Sequence, residues 1–407
     1  MYADFDLDAF IKRYVTRRER SLLADDLDRY DAELRGRIDG ARVLVIGGAG
    51  SIGSNYIKAL LCFNTAKLVV VDTSENELTE LTRDIRSAGN YRIPKDFIAY
   101  PVNFADKVFK KLLRAHGPFD IVANFAAHKH VRSEKDVFSI EAMIENNVFR
   151  ARELLDLMLE APPRHFFCVS TDKATNPANV MGASKKLMEE LILAYADYLP
   201  VSTARFANVA FSNGSLPFGF LQRLYKRQPL ACPLDIRRFF VSPGESGELC
   251  LLASVIGESG DIVFPKLDSM RDMISFERIV KDLLRELGME PDPCGTEDEA
   301  HEKIKTCAGR AMGKWPVYFF ESDTSGEKAY EEFYSPEEAL DFEKFINLGV
   351  IKNSKRRSPA EVDAIFEELK RLFASNDICK EKIVTVLSNY LPNFSHIEKG
   401  RGLDAKM

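Results

Sequence analysis

The stretch CVSTDKATNPANVMGASKK, Cys168 to Lys186, sets an acid, Asp172, directly beside a base, Lys173, with a second lysine, Lys185, further on. A carboxyl and an amine held side by side suit chemistry that removes a proton at one atom and delivers one at the next. The run HFFCVS before them is apolar and of strand length, so Ser170, Thr171, Asp172 and Lys173 emerge at the carboxyl end of a strand. Ligands bind at that edge in open α/β sheets. The residues after Asn179 have a helical pattern, and Met181 and Lys185, four apart, share a face. A surface Asp–Lys pair followed by a core methionine would leave the same letters, and the strand-end position is what favours chemistry.

A second cluster lies in VLVIGGAGSIG, where Gly47, Gly50 and Gly53 fall in a G-x-x-G-x-x-G pattern after an apolar strand and at the start of a helix. Glycines there allow a tight turn and bring backbone N–H groups and a helix N-terminus, including Ser51 and Ile52, close to a pyrophosphate. Asp72 ends the next strand, where a carboxylate accepts hydrogen bonds from ribose hydroxyls and repels a 2′-phosphate, so NAD is expected over NADP. Asn103, after the third strand, is either an adenine contact or an ordinary loop residue.

These residues need a frame. RVLVIG, AKLVVVD, FIAYPV, FDIVANFAA, HFFCVS and VSTARFANV read as six strands, the first five separated by helical patterns such as SIGSNYIKALL and ENELTELTRDIRS. That rhythm predicts an α/β fold, a Rossmann-type doubly wound parallel sheet over 41–210. Beyond residue 210 glycine and proline become frequent, and a smaller substrate-binding lobe is expected over 211–335, with elements returning to the sheet. SFERIVKDLLREL predicts a helix at 275–287, and PDPCGTEDEAHEKIK reads as a polar loop. Helical extensions are expected at both ends, 1–40 and 336–407. In the first, Leu23, Leu27, Tyr30 and Leu34 recur at helical spacing and the basic cluster Lys12–Arg20 reads as a solvated helix face. This segment is expected to pack on a partner subunit or on the chain's own surface.

With 407 residues, 45% hydrophobic, the chain is long enough for two lobes. A net charge of −6 argues against a nucleic-acid binder. No apolar run reaches the roughly 20 residues that span a bilayer. Seven cysteines without a C-x-x-C pair suit reduced thiols in a cytoplasmic protein, and no metal site is expected.

The residues now become specific. STDKATNPANVMGASK, AAHKHV from Ala126, RFANV from Arg205, the pair Gly214–Ser215 and GEKAYEE from Gly326 resemble the extended short-chain dehydrogenase/reductases. More narrowly they are similar to the bacterial nucleotide-sugar 4,6-dehydratases of capsule, O-antigen and flagellar-glycan synthesis, in their methionine-for-tyrosine subset. Thr324 and Ser325 depart from the Arg-Pro that usually precedes the GEK motif. The resemblance implies an NAD-dependent enzyme, a homo-oligomer, acting on a nucleotide sugar, first of all UDP-N-acetylglucosamine. In that reaction carbon 4 is oxidised, Lys173 removes the carbon 5 proton, Asp172 protonates the leaving carbon 6 hydroxyl, and hydride returns to carbon 6. Thr171, Met181 and Lys185 complete the implied catalytic set. Met181 moves no proton, so Asp172 or Lys185 covers the first transfer. Lys185 and Ala126 also meet the cofactor. Lys129, His130, Asn208 and Arg238 are implied on the substrate side, Arg238 because a guanidinium holds a diphosphate, and Asn147 as a polar residue near the cofactor strand. An epimerase, a dehydratase that inverts carbon 5, and a catalytically silent NAD-binding sensor or scaffold are the competing readings.

Overall fold

The computed structural model describes residues 5–129, 134–306, 313–322, 326, 328, 330–352 and 356–398. Its strands are β1 (Arg42–Ile46), β2 (Lys67–Asp72), β3 (Asp96–Pro101), β4 (Ile121–Asn124), β5 (His165–Val169), β6 (Val201–Ala204), β7 (Asn208–Val209), β8 (Leu230–Pro233), β9 (Arg237–Val241), β10 (Asp261–Pro265), β11 (Met273–Ser275), β12 (Glu290–Cys294), β13 (Lys314–Phe320), β14 (Ala339–Asp341) and β15 (Leu348–Lys352). Nine of them form one sheet in the order β14-β15-β10-β6-β5-β4-β1-β2-β3, and two three-stranded sheets, β11-β9-β7 and β12-β13-β8, lie outside it. From β3 to β10 the large sheet is parallel throughout, with Val43 opposite both Leu68 and Ile121, and β15 and β14 close it antiparallel.

The central strands are continuous apolar runs because both faces are covered, which leaves no solvent side to alternate toward. The helices are α1 (Leu7–Phe10), α2 (Ala24–Ile38), α3 (Ser51–Leu60), α4 (Glu75–Ala88), α5 (Lys107–His116), α6 (Val137–Ile144), α7 (Arg150–Glu160), α8 (Val180–Ala194), α9 (Leu216–Tyr225), α10 (Pro243–Val255), α11 (Phe276–Glu286), α12 (Glu297–Thr306), α13 (Pro359–Phe373) and α14 (Lys380–Tyr390). One face of the sheet packs on α2, α3, α4 and α10, and the other on α5 to α8, with α13 and α14 layered outside them. A third core joins α1 to α9, α11, β8 and β13.

Four local expectations need correcting. The stretch Val201–Val209 is two strands in two sheets, broken at Arg205–Ala207, because Arg205 is fully buried and turns the chain toward its acidic partners. The expected loop at 291–305 contains β12 and α12; the prolines of β12 hid it, and they are tolerated because only β13 pairs with it. The expected helical extension 336–407 begins with β14 and β15, which complete the sheet. In the basic cluster, Arg18 is not solvated: it donates to both Glu245 carboxylate oxygens at 2.9 and 2.7 Å and to the Phe240 carbonyl. Through that pair, and through Asp26 accepting from the Ile346 and Asn347 amides, the N-terminal segment packs on its own chain.

Candidate active site

The sheet reverses its winding between β1 and β4, and a cleft of about 400 Å3 opens there at the carboxyl edge. Gly47, Gly50, Asp72, Asn103 and Ala126 line it, together with His128 and Asn146. Gly47 has a φ of 71°, and a Cβ on it would meet the Ala126 amide at 2.5 Å. A Cβ on Gly53 would stand 2.3 Å from the Gly47 carbonyl oxygen, so both glycines are dictated by the turn itself. Gly50 is different: its Cβ would meet nothing closer than that same oxygen at 3.5 Å, and its φ of −66° suits any residue. Packing leaves room at Gly50, so its glycine suits a ligand's close approach.

Asp72 accepts from the Ala49 and Ser74 amides, each at 3.0 Å, which ties the β2 end to the glycine loop. Asn103 caps its own loop through the Ala105 amide at 3.0 Å. Ser51 and Ile52 stand behind the cleft: the Ser51 hydroxyl accepts from the Asn213 amide, and Ile52 packs on the core. A π-turn at Glu145–Phe149, between α6 and α7, aims Asn147 inward. There it accepts from the His128 amide at 2.8 Å and donates to the His128 carbonyl and to Ser184 on α8, fixing the loop after β4. Burial lowers the His128 pKa, and Arg150 adds to the shift.

The chain turns out of β5 through a 3-10 turn at Asp172–Ala174. Asp172 is buried, and its Oδ1 accepts from the Thr171 hydroxyl at 2.8 Å, the Lys173 amide at 2.9 Å and Lys173 Nζ at 3.1 Å. Its other oxygen, Oδ2, is buried with no hydrogen-bond partner among the described residues. Glu331 brings a second buried carboxyl, with Oε1 3.9 Å from Lys173 Nζ. Arg238 on β9 is also buried and electrostatically coupled to this group, while Asn208 on β7 lies half-buried and donates to the Phe239 carbonyl. Burial works against the Lys173 ammonium, yet Asp172 and Glu331 outweigh it and the pKa is raised.

Met181, in the first turn of α8, is buried in the apolar core on that helix's face of the sheet. Lys185 is buried too, and its Nζ donates to the Val169 carbonyl at 2.6 Å and contacts Met188 Sδ at 3.2 Å, so its ammonium is turned to the end of β5. Desolvation lowers its pKa. Lys129 lies exposed after β4, and His130 falls outside the described residues, as do Thr324 and Ser325.

Two supports were invisible in the local pattern. Beneath the site, Glu189 accepts from Ser170 at 2.6 Å and from Arg205 at 3.0 and 2.9 Å, and Arg205 also donates to Glu338. Over it, the segment Ser395–Ile397 hydrogen-bonds the Pro177 and Ala178 carbonyls at 3.0 Å each, and the Ile397 carbonyl accepts from Gly326 at 2.8 Å. Glu134 braces this strap: it accepts from the Val180 amide at 2.7 Å and pairs with Lys380 and His396. Glu331 itself was within reach, because it lies inside the quoted GEKAYEE motif.

Sheet order and glycine turn together define a Rossmann-type α/β protein, with an Asp–Lys pair at the end of β5. Residues 43–352 match the family described as polysaccharide biosynthesis protein, and the chain belongs to that family. It is 31% identical over 316 residues, 76% of this chain and 85% of the relative, to an uncharacterized membrane protein, MJ1061, of Methanocaldococcus jannaschii. It is 26% identical to the capsular polysaccharide biosynthesis protein CapD of Staphylococcus aureus, over 84% of this chain but only 52% of that protein, so it spans about half of that relative. A UDP-N-acetylglucosamine 4,6-dehydratase (inverting) of Campylobacter jejuni is 28% identical over 57% of this chain and 69% of that one. Among solved structures, the dTDP-glucose 4,6-dehydratase DesIV of Streptomyces venezuelae, with NAD and TYD bound, superposes with a TM-score of 0.54 at 20% identity, over 79% of this chain and 94% of that one. Among the described residues no helix is long and apolar enough to cross a membrane.

Proposed function

We propose that this protein is an NAD-dependent nucleoside-diphosphate-sugar 4,6-dehydratase, with UDP-N-acetylglucosamine as the first substrate to test. The observation that carries the reading is the Asp172–Lys173 pair, largely buried, at the carboxyl end of β5. The cleft fits a dinucleotide on two counts: Gly50 leaves space that packing does not use, and Asp72 stands at its rim. Gly47, Gly50, Asp72, Asn103 and Ala126 would hold NAD, which when bound supplies the hydride acceptor and donor.

The chain's own residues do the proton work. Lys173, with a fifth of its side chain exposed, is the member of the pair that meets substrate, and as an amine it removes the proton on carbon 5. The carbon 4 hydroxyl proton passes to Asp172 or Lys185 as that carbon is oxidised. Asp172 supplies the proton with which the carbon 6 hydroxyl leaves as water, and Lys173 returns a proton to carbon 5 as carbon 6 is reduced. Burial strengthens the coupling between Asp172 and Lys173, and their 3.1 Å hydrogen bond is a path along which a proton can pass. Met181 contributes packing alone. An epimerase needs only hydride out and back, with no acid for a leaving hydroxyl, so the paired residues favour dehydration, although Rickettsia proteins named UDP-glucose 4-epimerase are 29% identical over 55% of this chain.

Incubation of the purified protein with UDP-N-acetylglucosamine, UDP-glucose and dTDP-glucose, followed by mass analysis, tests the reading. Loss of one water from any of them supports it. Epimerisation at constant mass would move the epimerase reading ahead, and binding of NAD with no turnover would move the sensor reading ahead.

A further inference from the structure

Glu331 is the buried group that the dehydratase mechanism leaves without a task. It is 5% exposed, and its Oε2 has no hydrogen-bond partner among the described residues. Asp172 is buried beside the same ammonium, but its Oδ1 already accepts from three donors. A buried carboxyl oxygen without a hydrogen bond makes the anion costly. Lys173 is the more exposed of the two, 20% against 5%, so Glu331 acts on a substrate through the lysine.

The charged groups facing Glu331 come from three places. Asp172 and Lys173 lie on the turn after β5, Arg238 on β9, and Lys328 on Glu331's own segment, 3.9 Å from Oε2. Burial, and with it the Asp172 charge, raises the Glu331 pKa, while Lys173, Arg238 and Lys328 offset only part of that. Two buried carboxyls share the Lys173 ammonium, and their mutual repulsion favours keeping a proton on one of them.

We propose that Glu331 is a positioning residue for the reaction, one that stands beside Lys173 as a neutral acid and thereby sets the lysine's charge. The inference rests on the dehydratase reading. With Glu331 protonated, the ammonium has one anionic partner. Moving one proton from Lys173 Nζ to Asp172 Oδ1 breaks an N–H bond, forms an O–H bond and leaves the net charge unchanged. The ion pair has become an amine and a carboxylic acid, the base and the acid that elimination needs. Once the amine has taken the carbon 5 proton and the acid has released water, the ion pair is restored. If Glu331 ionises, the ammonium gains a second anionic neighbour and its proton stays in place. Turnover therefore falls as the pH rises through the Glu331 pKa.

The test compares pH profiles of kcat and KM on the nucleotide sugar turned over by the wild type. Glu331→Gln is expected to lose the alkaline fall in kcat while KM shifts little, and Glu331→Asp, which restores an ionisable carboxyl, to regain the fall. An alkaline fall in Glu331→Gln at the same pH as in the wild type would overturn the proposal. So would a loss of about 10²-fold or more at every pH with fold and NAD binding intact, since Glu331 would then be moving a proton itself. If Glu331→Gln fails to fold, infrared spectroscopy of the wild type decides: a protonated-carboxyl band must disappear along the alkaline limb, and its absence sinks the proposal. A wild type inert toward every nucleotide sugar would fault the dehydratase reading instead, and the infrared titration would still judge Glu331.

Discussion

At the scale of single residues, Lys173 and Asp172 differ from Met181 in what each removal should cost. Lys173→Ala or Asp172→Asn is expected to lower dehydration by about 10²-fold or more, the scale of a lost general acid or base, with NAD affinity nearly unchanged. Met181→Ala removes packing only and should cost far less in kcat; equal damage from all three, with the fold intact, would refute this division of roles. The glycine loop offers a second contrast. Gly50→Ala should leave the melting temperature near that of wild type yet weaken NAD binding, because the added methyl meets only the Gly47 carbonyl. Gly53→Ala, forced against that carbonyl, should lower both, as calorimetry and NAD titration would show. The Asp–Lys pair and the glycines were legible because each is a short pattern carried by its own strand. Glu331 stood inside the GEKAYEE motif, but its role was not legible, since what gives it meaning is a contact with Lys173 from far along the chain. Nor did sequence show that Lys185 turns its ammonium to the Val169 carbonyl, since a shared helix face does not fix where a long side chain ends.

At the scale of elements, β1, β2, β4 and β5 were readable because strands buried on both faces are continuous apolar runs. The break after β6 was hidden because Arg205 is satisfied by partners on α8 and beyond residue 330. That network has a pH signature. Burial opposes the Glu189 carboxylate, but Arg205, Lys186 and Ser170 outweigh it and bring its pKa down to about 2 from 4.5. A depressed folded-state pKa stabilises above the unfolded value and is lost as pH falls toward the folded one. Roughly 3 kcal/mol should disappear between about pH 4.5 and pH 2, visible as a falling urea midpoint over that range. Glu189→Gln should remove much of that slope and cost about 3 kcal/mol at neutral pH, because Arg205 stays buried with half its acidic partners gone. In the core on one face of the sheet, Phe366 of α13 packs against Phe149 with ring centres 5.4 Å apart. Phe366→Ala is expected to cost about 3–4 kcal/mol in urea denaturation.

At the scale of the whole molecule, the site depends on chain brought from both ends. The N-terminal segment is locked to α10 through Arg18 and Glu245, and the strap at Ser395–Ile397 lies across the loop that leads from Lys173 into α8. Ile397→Pro deletes the donor to the Ala178 carbonyl and should lower kcat about 10-fold with only a small fall in melting temperature, as a lost buried hydrogen bond of 1–2 kcal/mol would. Unchanged turnover in that variant would show the strap to be passive. The strap also orders events during synthesis. The glycine turn, β5 and the Asp–Lys pair leave the ribosome early and find their sheet neighbours soon after. The residues that pin the loop are translated only after the two outer strands and both closing helices. A nascent chain therefore carries a formed dinucleotide fold well before it carries a braced active-site loop, so any affinity for the cofactor should emerge on the ribosome ahead of any ability to turn over a sugar.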